Sequence, residues 1–234
     1  MRSHSTLLAF DFDGTLAPIR DDPDSVRLPR AAVALLNGAA ESSGVVVAVI
    51  SGRDIDDLAA RTEATGAYLA GSHGLEIRGP GGVLVRGALP LQIEIDAELR
   101  TAIEAAGLRL ETKKHGIALH WRGVDSDAIA SLADRFRAWA RAADLEIIEG
   151  RCVVEAQRRG GGKEDALRWL SSALGTSRVI YAGDDITDFG ALRFAAEHGR
   201  GVFVASAERE PPPDVTVVGS FHELFRLVRE ELMI

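Results

Sequence analysis

Cysteine is almost missing from this chain: Cys152 stands alone among 234 residues. No intrachain disulfide can brace the fold, which agrees with a reducing compartment. Long apolar runs are missing too. The longest, Val45–Ile50, is far too short to cross a bilayer as a helix. Near the N-terminus, Thr6–Phe10 runs straight into acidic residues instead of a cleavage site. A cytoplasmic protein without membrane contact is therefore expected. An excess of basic residues is the third absence. Lys and Arg number 27 against 35 Asp and Glu, a net charge of −8. That balance argues against a nucleic-acid partner, and it means that any bound anion must be met by local cations. What is present is ordinary for a globular protein, with 46% hydrophobic and 26% charged residues. The length suits one large domain or two small ones.

Periodicity gives the architecture. Thr6–Phe10, Val45–Ile50 and Tyr68–Ala70 read as buried strands. Helical patterns lie between them, from Pro29 to about Ser42 and from Asp54 to Glu63. The rhythm resumes late, with a helix over 162–174, a strand over Arg178–Ala182 and a helix over 185–196. Strands at 201–205 and 215–218 follow, and Ser220-x-x-Glu223 is a capping box opening a last helix. Strand–helix alternation implies a parallel sheet with right-handed crossovers. Two glycine-rich junctions, Gly79–Gly82 and Arg158–Gly162, bracket a middle segment with another order. It reads as a strand near 83–86, a helix over 91–106, strands at 108–112 and 117–122, a helix over 125–142, and strands at 145–149 and 152–156. The expectation is an α/β, doubly wound parallel-sheet core of Rossmann-like form over residues 1–80 and 160–234, with an inserted α+β cap over 81–159.

Four polar signals each fall at the end of a buried strand. Asp11-Phe12-Asp13-Gly14-Thr15-Leu16 follows the first. Side chains alternate along a strand, so Asp11 and Asp13 would point the same way if extended geometry persists. One carboxylate can attack phosphorus while the other handles the proton, and Gly14 permits a tight turn with amides aimed at phosphate. A strand-end turn would use the same residue types. Ser51-Gly52-Arg53 follows the second strand, with a helix N-cap as its plainer reading. Lys163, after a glycine cluster, can neutralise a phosphoryl group, or be a solvated helix-start lysine. Gly183-Asp184-Asp185-Ile186-Thr187-Asp188 follows the late strand; its carboxylates repel unless a cation intervenes, and such oxygen donors suit magnesium. An acidic helix start is the plainer explanation. Chance placement of one signal is ordinary, but joint placement on one sheet edge, where open α/β sheets bind ligands, is not.

These four motifs, in this order, resemble those of the haloacid dehalogenase superfamily, and within it trehalose-6-phosphate phosphatases. The likeness includes Asp11–Ile19, Ser51-Gly52-Arg53, the loop Gly71-Ser72-His73-Gly74-Leu75-Glu76, the stretch Gly183–Asp188, and Val153-Val154-Glu155 in the insert. The resemblance implies a magnesium-dependent phosphatase acting on a small-molecule sugar phosphate, with Asp11 as nucleophile and Asp13 as acid/base. It implies that Asp11, the Asp13 backbone carbonyl and Asp184 hold Mg2+, with Asp185 and Asp188 assisting. Gly14, Ser51, Gly52 and Lys163 would bind phosphate, and Arg53, His73, Lys113, His120, Arg151 and Glu155 would meet the substrate. A monomer is expected. Phe189, Arg151 and Glu164 depart from the family pattern, and Arg151 bears on the substrate because it belongs to the insert.

Competing readings are a phosphorylatable receiver domain, a non-catalytic sugar-phosphate sensor, and a phosphatase for another sugar, such as mannosyl- or glucosyl-phosphoglycerate or sucrose phosphate. The insert argues against the receiver, and the Asp11/Asp13 pair against the sensor. Turnover on a panel of sugar phosphates separates them all. Cys152 has no activating partner in sequence, and His73, His115 and His120 lack zinc spacing.

Overall fold

The computed structural model describes residues 6–20, 22–63, 66–150, 152–205 and 210–233. Along the chain run β1 (Thr6–Asp11), α1 (Arg30–Glu41), β2 (Val45–Ile50), α2 (Ile55–Arg61), β3 (Tyr68–Gly71), β4 (Glu76–Arg78) and β5 (Leu84–Arg86). Next come α3 (Ala97–Ala105), β6 (Arg109–Thr112), β7 (Gly116–His120), α4 (Ala128–Ala142), β8 (Glu146–Gly150) and β9 (Val153–Gln157). The chain closes with α5 (Lys163–Leu174), β10 (Arg178–Gly183), α6 (Phe189–His198), β11 (Gly199–Val204), β12 (Thr216–Val218) and α7 (Phe221–Leu232). Two compact units result: Met1–Gly87 with Gly162–Ile234, and Ala88–Gly161. No helix among the described residues is long and apolar enough to cross a membrane.

The first unit holds an eight-stranded sheet in the order β12-β11-β10-β1-β2-β3-β4-β5. Pairings from β12 through β3 are parallel, and β4 and β5 are added antiparallel. Its central strands are apolar on both faces because both are covered. Leu8, Phe10, Val47, Val49 and Ile180 meet Leu35 and Leu36 of α1 and Leu224 and Val228 of α7. Leu7, Ala9, Val46, Ala48 and Val179 meet Ala166, Leu167 and Leu170 of α5 and Leu192 of α6. Each fully buried leucine here contributes roughly 1.5–3 kcal/mol relative to an exposed one. Register is thus fixed, since a one-residue slip would carry every strand side chain to the wrong face.

The second unit is a four-stranded antiparallel sheet, β6-β7-β9-β8. Its inner face, Ile117, Leu119, Val154 and Ala156, rests on Leu99 and Ile103 of α3 and Phe136 of α4.

Four differences from the sequence reading have physical causes. The helix expected from Leu91 begins at Ala97. Asp96, with extended backbone, accepts the amide of Leu99 at 2.8 Å and caps it there, while Leu91 donates its amide to the Lys114 carbonyl. The helix expected from Asp185 opens with a 3-10 turn over Ile186–Asp188 before α6. The boundary of the second unit lies after Gly87, not at 80, because β5 pairs with β4 and extends the first unit's sheet. Strand β4 itself went unread, being only three residues long.

Candidate active site

The parallel register brings the polar segments level. Asp11 is opposite Ile50, and Phe10 opposite Ala182, so Asp11, Ser51 and Asp184 leave the same carboxyl edge. Alternation aims them. Leu7 and Ala9 face α5 and α6, and Asp11 shares their parity, so its carboxylate turns towards α5. Lys163 is the first residue of that helix, and its Nζ donates to Asp11 Oδ1 at 2.7 Å.

Asp188 organises this buried corner. Its Oδ1 accepts from Lys163 Nζ at 2.8 Å and from the Tyr181 hydroxyl at 2.6 Å. Its Oδ2 accepts the amides of Asp184 and Asp185 at 3.2 and 3.1 Å. Asp184 Oδ1 in turn accepts from the Thr15 hydroxyl at 3.0 Å. Single oxygens of Asp11, Asp184 and Asp188 lie within 4.8 Å of one another, all buried. The cost of that crowding is visible in proton affinity. Burial, with the charges of Asp188 and Asp184, holds Asp11 well above the usual carboxylate range despite Lys163. Burial and Asp188 push Asp184 up to about 6. Burial lowers the charge preference of Lys163, but Asp11 and Asp188 outweigh it and hold the ammonium firmly charged. Tyr181 is raised by burial beside Asp188 and stays a donor.

Asp13 does not join this cluster. The chain leaves extended geometry after Phe12: Leu16 and Ala17 both donate their amides to the Phe12 carbonyl, and Gly14 donates to Ala17. The Asp13 carboxylate is taken bidentately by Arg53, Nε to Oδ2 at 2.7 Å and Nη2 to Oδ1 at 2.8 Å. Gly14 is required where it stands. Its φ is +92°, and a Cβ there would lie 2.1 Å from Asp184 Oδ2.

Ser51 is buried, and its Oγ accepts the Arg53 amide at 3.2 Å. Behind it lies a turn in which Ser72, His73 and Gly74 all have positive φ, 47°, 52° and 89°. Two successive non-glycine residues in that region are costly, by about 1–2 kcal/mol each. Backbone bonds hold them. Ser72 donates its amide to Arg53 O, His73 donates to Ser51 O, and Gly162, just before Lys163, donates to His73 O. The Ser72 hydroxyl adds a bond to Asp54 at 2.9 Å. The His73 ring lies so close to Gly52 that a Cβ on Gly52 would be 2.6 Å from its Nε2.

On the second unit, Ala118 pairs with Glu111 on one side and Glu155 on the other, so both carboxylates project from one face of the sheet. Lys113, one residue past the end of β6, and His120, the last residue of β7, follow Glu111 and Ala118 by two and share that face. Lys113 Nζ donates to Glu155 Oε2 at 2.5 Å, and His120 Nε2 lies 2.8 Å from Glu111 Oε2. That bond from His120 is the main reason Glu111 is held below its ordinary range. Arg151 lies outside the described residues.

The structure thus brings together Asp11, Asp184, Asp188 and Lys163 in the first unit, with Gly14 against Asp184 and with the Ser51-Gly52 segment braced against the separate turn that carries His73. Asp13 is linked to Arg53 instead, and Asp185 contributes its amide to Asp188. Glu111 and Thr15 were not anticipated. Alternation in Glu111-x-Lys113 on a predicted strand is the available signal for Glu111; Thr15 stands inside the motif Asp11–Leu16 but carries no role in the sequence reading. A divalent cation fits the donor set. Asp11 and Asp184 offer hard oxygen donors and bind protons too tightly without a counter-charge. Asp188 has both oxygens occupied by four donors, so its part is to orient.

Known proteins resemble this chain in sequence and in fold. The chain is 35% identical over 211 residues to the trehalose-phosphate phosphatase of Mycobacterium marinum, a match covering 85% of the chain and 54% of that protein. The chain therefore spans about half the length of this curated relative. Among solved structures, the C-terminal domain of C. albicans trehalose-6-phosphate phosphatase superposes with a TM-score of 0.75 at 18% identity, covering 99% of this chain and 93% of that one. A haloacid dehalogenase-like hydrolase from Bacteroides thetaiotaomicron gives 0.66 at 16% identity, over 97% and 99%. Both share the fold. The trehalose-phosphatase family model matches residues 9–210, nearly the whole chain, and the chain belongs to that family.

Proposed function

We propose that this protein is a phosphomonoesterase that hydrolyses trehalose 6-phosphate to trehalose and phosphate, with Asp11 as nucleophile. The observation that carries the reading is the Asp11 carboxylate itself, buried at the carboxyl edge of the sheet and fixed by a 2.7 Å bond from Lys163. Asp11 attacks phosphorus, the bond to the sugar oxygen breaks, and Asp13 gives that oxygen a proton. Water then attacks the aspartyl phosphate, passing a proton to Asp13 and freeing Asp11 and inorganic phosphate. Lys163 and the amides beside Gly14 meet the charge of the phosphoryl oxygens. Bound Mg2+, held by Asp11, Asp184 and the Asp13 carbonyl, would supply further positive charge there. Recognition of sugar hydroxyls falls to the polar face of the second unit, Glu111, Lys113, His120 and Glu155, since hydrogen-bonding groups discriminate hydroxyls strongly.

The test is phosphate release from trehalose 6-phosphate with magnesium, compared with Asp11→Asn. The variant keeps size and hydrogen bonding but loses the attacking charge, so turnover should fall by about a thousandfold or more while the fold survives. Activity near the parent level in Asp11→Asn would overturn the covalent mechanism. Activity confined to another sugar phosphate would overturn the substrate.

A further inference from the structure

The Arg53 guanidinium is fixed at more corners than a salt bridge to Asp13 needs. Besides its two bonds to Asp13, Nη1 donates to Asp57 Oδ2 at 2.9 Å and Nη2 to the Pro23 carbonyl at 3.2 Å. Its plane lies over Phe12, 5.5 Å from the ring centre. Asp57 is itself held. Arg61, one helical turn further along α2, donates Nε to both Asp57 oxygens at 2.8 Å. Arg61 is only 5% exposed, a burial an unpaired guanidinium would not tolerate. Its remaining donors reach the Asp24 and Val26 carbonyls at 2.7 and 3.0 Å and Asp24 Oδ1 at 3.0 Å.

Charges therefore alternate without a break from Asp13 through Arg53, Asp57 and Arg61 to the segment carrying Asp24. Asp57 and Arg61 sit one turn apart on α2, so a rigid helix sets their spacing, and Arg53 approaches Asp57 from the turn just before that helix. A lone bidentate pair can pivot about the axis joining the two groups. A third anchor at Nη1 stops that pivot, and Asp57 supplies it. Asp57 in turn is shared by two arginines that would repel each other without it.

We infer that Asp57 and Arg61 are positioning residues for the reaction: they lock the Arg53 guanidinium, and through it the orientation of the Asp13 carboxylate during its two proton transfers. This rests on the phosphatase reading above, in which Asp13 is the acid/base. Neither residue touches the reacting atoms. Asp57→Asn keeps the shape but turns an N–H towards a guanidinium. Arg61→Lys keeps the charge but removes the fork that holds Asp57.

The experiment is steady-state kinetics on trehalose 6-phosphate for Asp57→Asn, Arg61→Lys, Arg53→Ala and the double variant Arg53→Ala/Asp57→Asn, with melting curves on each. Asp57→Asn should lower kcat about tenfold, the scale of a small misplacement of a catalytic group, with KM within about twofold. Arg61→Lys should act in the same direction but more weakly. In the Arg53→Ala background, Asp57→Asn should have no further effect on kcat, because it acts only through Arg53. A merely structural Asp57 would lower the melting point and cost activity equally in both backgrounds, which overturns the inference. A raised KM with unchanged kcat overturns it too, since Arg53 would then be a substrate contact alone. Asp13→Asn separates the two levels. If it stays active, the phosphatase reading fails; if it is inactive while Asp57→Asn is not impaired, only the relay fails.

Discussion

Asp188 offers the sharpest test of the buried corner. Replacing it by Asn keeps the volume and leaves one oxygen to accept. The other position becomes an NH2 that faces donors whichever way it flips: Lys163 and Tyr181 on one side, the amides of Asp184 and Asp185 on the other. Two bonds to a charged acceptor are lost and two buried donors are left facing an N–H, at about 1–3 kcal/mol each. Part of this is returned, because one negative charge leaves the vicinity of Asp11 and Asp184, whose proton affinities it raises. The net loss should be about 3 kcal/mol, within the range for breaking a buried ion pair. For a chain of this length that lowers Tm by about 6–12 °C. The assay is thermal unfolding followed by circular dichroism in excess chelator, so that no cation contributes to the difference. A variant melting within about 2 °C of the parent would show that Asp188 is not the organiser described.

Two further predictions follow from the same geometry. Asp184 is pushed up to about 6 from an ordinary 3.8, so the folded protein binds this proton more tightly than the unfolded chain. Its stabilising contribution in chelator is full below 3.8 and is lost as pH rises through about 6, about 3 kcal/mol in all, of which about 1.3 kcal/mol falls between pH 5 and 7; urea unfolding at those two pH values, with Asp184→Asn as reference, measures that part, and equal pH dependence of parent and variant would refute it. Glu155→Ala removes the partner of Lys113 and should lower kcat/KM for trehalose 6-phosphate about tenfold while sparing an aryl phosphate; equal losses on both, with a lower melting point, would assign Glu155 to bracing the strand.

Much of the fold and of the candidate site is legible in the sequence. Central strands buried on both faces leave continuous apolar runs, so β1, β2 and β10 stood out, and the polar residues ending them marked the site edge. Edge elements were harder to read. Glu76-Ile77-Arg78 is too short to show a period, and Asp96 looks like any surface aspartate until its oxygen is seen capping α3. Within the site, residue types were readable but partners were not. Asp11 and Asp13 look equivalent in sequence, yet strand parity sends one to Lys163 and the turn at Gly14 sends the other to Arg53. The pairing of Arg61 with Asp57 was available from helical spacing alone, but its burial against the Asp24 and Val26 carbonyls depends on chain that returns from elsewhere in the fold.

The first unit is discontinuous, and that sets an order of assembly. Thr6 of β1 pairs with Arg178 of β10, so the strand that carries Asp11 gains one neighbour only after about three-quarters of the 234 residues exist. During synthesis β1, β2 and β3 can associate early, carrying Asp11 and Ser51, while Lys163, Asp184 and Asp188 are still to come. Parallel pairing across so long a separation is entropically slow. The second unit has a core of its own, and its folding ahead of that pairing would shorten the delay. In the second unit the Arg158 guanidinium reaches the Pro90 carbonyl at 3.4 Å, so its two chain ends lie side by side once it is formed. A folded insert of this kind is a short connection for the purposes of loop closure, whatever its length in residues. Truncation before Lys163 should therefore give a nascent chain in which β1 is an exposed sheet edge and Asp11 lacks its bond from Lys163, prone to association. Fragments divided within the insert, by contrast, retain every strand of both sheets between them and are the natural pair for reconstitution.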